Sequence, residues 1–157
     1  MKNDKPISLI LCTIFLTTSF LSSEDINMTK EIIFTDKAPK AIGPYSQAVK
    51  SNGFLFVSGQ IPLNPETGDL MNASIEDQAE QVIQNLKNVC EAAKTSLSDI
   101  VKLTIYITDM NDFSIVNEAM AKHFSEPYPA RATVEVSALP LGAVSYTHLR
   151  AHETIQD

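Results

Sequence analysis

Between residues 28 and 143 the chain carries a single arginine, Arg131, among eight lysines. It stands at the end of an apolar, proline-rich stretch, Pro127-Tyr128-Pro129-Ala130-Arg131-Ala132. A guanidinium grips a carboxylate through two parallel N–H bonds whereas an ammonium is a point charge, so an arginine where lysine is the habit points to carboxylate capture. A structural role, capping backbone carbonyls or pairing with Glu135, fits the same position and stays open. Two further segments, Gly43-Pro44-Tyr45-Ser46-Gln47 and Val57-Ser58-Gly59-Gln60-Ile61-Pro62, set a phenol, hydroxyls and glycine backbone beside expected strand ends. Loop groups at such places line pockets, though by themselves these are ordinary turns.

No phosphate-binding loop, dinucleotide fingerprint, nucleophile elbow or zinc spacing is present in the sequence. Cys90 lies beside a helical apolar stripe with nothing near it in sequence to depress its pKa, and reads as packing. His123 has no HxxxH or HExxH partner and reads as a surface or packing residue.

The elements that must position these residues are those of a small α+β domain. Ile32-Ile33-Phe34 predicts a short first strand, and the Asn52-Gly53 turn introduces a second at 54–59. Apolar Ile75, Ala79, Val82, Ile83, Leu86, Val89 and Ala93 recur at three- and four-residue spacing, predicting a helix over 75–94 with Ser74 and Asp77 as its capping pair. Alternation of Val101, Leu103, Ile105 and Ile107 predicts a half-buried strand over 100–108. Asn111 or Asp112 is expected to cap a second helix with Phe113, Val116, Met120 and Phe124 as its apolar face, ended by Pro127 and Pro129. Residues 131–136 predict another strand. The order β-β-α-β-α-β, with one more strand expected after Leu139-Pro140, suggests a single mixed sheet with two helices on one face.

The whole chain has 157 residues, with 12 basic and 19 acidic side chains, a net charge of −7. One domain with appendages fits that length, and a general phosphate-backbone binder does not fit that charge. Residues 1–27 open with Lys2 and Lys5 before an apolar run ending in Ser22-Ser23, as a secretory leader does. The run is shorter than a spanning helix needs and is diluted by Thr13, Thr17 and Thr18, so a stable membrane anchor is not expected. The alternative is translation from Met28, so the location is cytoplasmic on one reading and exported on the other.

Four separated strings, Ala41-Ile42-Gly43-Pro44-Tyr45-Ser46-Gln47-Ala48-Val49, Val57-Ser58-Gly59-Gln60-Ile61-Pro62, Asn111-Asp112-Phe113-Ser114-Ile115-Val116-Asn117 and Pro129-Ala130-Arg131, followed by Leu139-Pro140, resemble the RidA (YjgF-like) reactive-intermediate deaminases over residues 28–143. The resemblance implies a chorismate-mutase-like α+β fold and a homotrimer with sites between subunits. It implies hydrolysis of short-lived enamines and imines such as 2-aminoacrylate to 2-oxo acids and ammonia, without metal or organic cofactor. Carried over residue by residue, Arg131 binds the substrate carboxylate while Tyr45, Ser58, Gly59 and Asn117 line the pocket. Thr133 stands where the family often has cysteine, a position thought to act mainly through its backbone, and is counted with Arg131, Tyr45 and Asn117 as catalytic.

After Ala143 the resemblance stops. The family continues with an alternating acidic and apolar strand that supplies a pocket glutamate; here Tyr146 stands in its place, and residues 144–157 resemble a translated sequencing adapter, so the last family strand is expected to be lost. His148 and His152, four apart in that tail, are not read as a metal pair. The competing functions are a non-catalytic module for small carboxylates or a protein partner, and an endoribonuclease, which the acidic charge opposes.

Overall fold

A computed structural model of the chain describes residues 30–71 and 74–152. The leader, its Cys12 and the Met28 start lie outside the described residues, as do 153–157.

The strands are β1 (Glu31–Ile33), β2 (Ala48–Ser51), β3 (Phe54–Gln60), β4 (Ile100–Ile107), β5 (Ala130–Glu135) and β6 (Ser145–His152), and the helices α1 (Ile75–Ala92) and α2 (Phe113–His123). They form one six-stranded sheet in the order β1-β2-β3-β6-β4-β5. All pairings are antiparallel except β4 with β5, which is parallel and crosses over through α2. This is the α+β architecture, with two helices packed on the sheet, that the sequence pattern suggests.

Alternation builds the core. Leu55 and Val57 of β3, Leu103, Ile105 and Ile107 of β4 and Ala151 of β6 turn one way and are all buried, meeting Val82, Leu86 and Val89 of α1 and Val116 and Met120 of α2. Cys90 is inside this cluster, and burial pushes its thiol up to about 11. The Ser74 side chain accepts the Asp77 backbone N–H and caps α1. Asn52 (φ 53°) and Gly53 (φ 72°) both take the left-handed conformation that a two-residue hairpin turn between β2 and β3 requires.

Several features depart from the sequence reading, among them Val101, which the alternation puts on the buried face and which is exposed where the β4–β6 register shifts between Ile100 and Lys102. Ala48–Ser51 is a strand that the sequence reading did not assign; four residues are too few to show an alternation. At the head of α2, Asp112 occupies the cap position without a side-chain bond, and Asp109 caps the preceding 3-10 turn by accepting from Asn111 N. The residues that stand in place of the last family strand themselves form one. Residues Ser145–His152 pair antiparallel with both β3 and β4 and lie inside the sheet. Ladder hydrogen bonds come from the backbone, so the slot asks mainly for small or apolar groups on the helix side, which Thr147 and Ala151 provide by being buried. The side chains of His148 and His152 lie outside the described residues.

Candidate functional site

β5 is an edge strand, and its register decides what Arg131 can reach. Arg131 is level with Leu103, Thr133 with Ile105 and Glu135 with Ile107, residues of β4 that face the helices. Registered neighbours share a face, so Arg131, Thr133 and Glu135 turn toward α2. Arg131 Nη1 donates to Asn117 Oδ1 at 2.8 Å, and the guanidinium carbon lies 5.4 Å from the centre of the Phe113 ring. One edge of the fork is thus fixed by an amide and one face by an aromatic ring. Among the described residues the ion pairs involve Asp36, Glu76, Glu80 and Glu91, and none reaches Arg131. Glu135, the alternative partner considered from sequence, instead accepts from Met110 N at 2.7 Å.

Beside this guanidinium is a groove of about 470 Å³ between α2 and β5. Arg131 and Asn117 supply its polar end, and Met120, Phe124, Tyr128 and Pro129 supply carbon along the rest. Sequence periodicity assigned Met120 and Phe124 to the core, and both are indeed buried while also forming the groove floor. Phe113, expected on the same apolar stripe, is 40% exposed and serves as the surface under Arg131. Tyr128 and Pro129 were not recognisable as wall residues, because nothing local to a proline-rich turn shows which helix it will lie against.

The other expected site residues form a second group. Tyr45 turns back on its own loop: its hydroxyl accepts from Ile42 N at 3.2 Å, and a Cβ added to Gly43 would lie 3.4 Å from its ring. Ser58 Oγ donates to Ser46 O at 2.6 Å, and Ser58 N to Gln47 O at 2.9 Å. Gly59 falls within the register shift between Val57 and Gln60 where β3 meets β6. Gln47, which sequence reasoning passed over as a turn residue, organises this group. Its buried side chain accepts from Thr35 N at 2.7 Å and donates to the carbonyls of Thr35, Ala38 and Pro39.

Within one chain the two groups do not meet. β6 and β4 lie between β3 and β5, so Ser58 and Arg131 are three strand spacings apart, about 14 Å. Arg131, Asn117 and Thr133 form one group and Tyr45, Ser58 and Gly59 another. The side chain of Tyr146 lies outside the described residues. No helix among the described residues is long and apolar enough to cross a membrane.

Residues 35–144 match the family described as Endoribonuclease L-PSP. The chain is 55% identical over 111 residues to a RutC family protein of Pyrococcus horikoshii, covering 71% of this chain and 88% of that one. It is 45% identical over 114 residues to the 2-iminobutanoate/2-iminopropanoate deaminase of Dermatophagoides farinae, covering 73% and 89%. Among solved structures, E. coli TdcF with bound serine superposes with a TM-score of 0.74 at 40% identity, over 79% of this chain and 99% of that one.

Proposed function

The chain belongs to the Endoribonuclease L-PSP family, and from that premise we propose that it hydrolyses reactive 2-imino and 2-enamino acids to 2-oxo acids and ammonia. The observation that carries the reading is Arg131: a guanidinium held by Asn117 and Phe113, free of carboxylate partners among the described residues, at the polar end of a small groove. A relative named as a 2-iminobutanoate/2-iminopropanoate deaminase and another holding serine support a ligand with a carboxylate next to a nitrogen-bearing carbon. Cleavage of RNA, which the family description suggests, is opposed by 19 acidic against 12 basic side chains.

The chemistry asks little of the protein. An enamine takes a proton at its terminal carbon to become the imine. Water then adds across C=N, oxygen to carbon and a proton to nitrogen, and the carbinolamine expels ammonia as the C=O bond forms. Arg131 would fix the carboxylate, supplying proximity and orientation, with Thr133 two residues along the same face of β5. Hydroxyl and backbone groups of the Tyr45–Ser58–Gly59 half would direct water and stabilise developing charge. These halves are about 14 Å apart in one chain, so the reading requires a second copy to bring one against the other, as in a homotrimer with shared sites. Phe56, Val101 and Val134 are exposed on the sheet and give such an assembly apolar surface to cover.

The test is an assay on 2-iminobutyrate generated in place by an amino-acid oxidase. Release of 2-oxobutyrate should exceed the buffer rate, and Arg131→Ala should lower kcat/KM by roughly 10- to 100-fold, the worth of a charge-assisted hydrogen-bond pair. Arg131→Lys should recover only part of that loss, because it restores charge without the fork. An Arg131→Ala protein as fast as the parent would remove the assigned role.

A further inference from the structure

The groove is longer than a three-carbon acid needs. Asn117 and Ala121, four residues apart, share one face of α2 with Met120, and Phe124 follows its last turn. From Asn117 to its end at His123 the helix rises about 9 Å. A carboxylate bound by Arg131 beside Asn117 occupies only one end of that length. Beyond it the floor is Met120 and Phe124, both buried, and the walls are Ala121, Tyr128 and Pro129. Charge at one end and carbon along the rest describe a small amphiphilic acid with an apolar chain at least several carbons long.

We propose that this groove is the side-chain pocket of the enzyme, that its occupant is the apolar side chain of a leucine- or phenylalanine-sized 2-imino acid, and that Ala121 and Tyr128 set its depth. The assignment rests on the imino-acid reading above and adds the substrate class and the residues that select it. Ala121 is exposed and has the smallest side chain on the groove wall, so a larger side chain at 121 narrows the groove without disturbing the buried floor. Tyr128, 59% exposed, forms the opposite wall and can be truncated without opening a core cavity.

Titration calorimetry of the full chain with 2-oxo acids tests the pocket without needing turnover. The parent should bind 4-methyl-2-oxopentanoate about tenfold or more tighter than pyruvate, since each added methylene contributes a severalfold factor when removed from water. Ala121→Phe should lower that ratio to near unity, and Tyr128→Ala should lower it severalfold. Circular dichroism checks each variant; if Ala121→Phe is misfolded, Ala121→Leu together with Tyr128→Ala carries the decision. Equal affinity for the two acids in the parent, or a ratio unmoved by folded variants at both positions, overturns the assignment. The same ratio measured as kcat/KM on leucine- and alanine-derived imines separates the two readings. Size-selective binding without any imine hydrolysis sinks the deaminase and keeps the pocket. Arg131-dependent hydrolysis with no size selection at 121 or 128 sinks the pocket and keeps the deaminase.

Discussion

Arg131 could be singled out from composition because it breaks a lysine habit, and its neighbours Asn117 and Phe113 follow from the register of β5 on β4. Gln47 could not, since an amide that satisfies three carbonyls and one N–H looks the same in sequence as one on a turn. Gln47→Ala should cost about 2 kcal/mol in urea unfolding, because it orphans polar groups around the buried carbonyl of Ala38. Gln47→Glu should do worse, since a carboxylate would face the same carbonyls. Cys90 offers a second residue-scale check. With its thiol pushed up to about 11 by burial, alkylation at pH 8 followed by peptide mapping should leave Cys90 unmodified in the native protein and modify it after denaturation.

At the scale of elements, the helices and long strands were legible because their periods run over many residues. The stripe of α1 and the alternation of β4 are examples. What the sequence hid was either too short to show a period, as in β2, or determined by distant partners, as in the groove that Tyr128 forms against α2. The contact between α1 and α2 has an ionic part of the second kind: Lys122 reaches Glu76 at 2.7 Å and Glu80 at 3.3 Å, and His123 bonds Glu80. The His123 hydrogen bond holds the Glu80 carboxyl below its ordinary value of 4.5, helped by Lys122 and opposed by partial burial. Its contribution is therefore complete above that value and is lost as pH falls through the lower folded one. Lys122 is raised above 10.5 by Glu76 and then Glu80, so its share is present below that pH and lost as pH rises beyond it. Thermal melts from pH 3 to 11 should show a plateau between the two limits. Glu80→Gln should lower the plateau slightly and reduce the acid-side fall.

For the whole molecule, the strand order places the final described strand between β3 and β4, joining a β1-β2-β3 half to a β4-β5 half. A chain terminated after Ala143 would expose both inner edges, and it should elute as aggregate on size-exclusion chromatography where the full chain does not. Replacing residues 144–157 with an alternating acidic and apolar strand should preserve the same ladders, and the assembly reading expects it to sediment as a trimer. The topology also sets a schedule. On the ribosome β3 is made some 85 residues before β6, and at roughly 5–20 residues per second the nascent polypeptide spends about 4–17 s with that edge unguarded. A cell producing this protein must shelter a half-finished sheet for that interval, which makes its yield sensitive to translation speed and to holding chaperones.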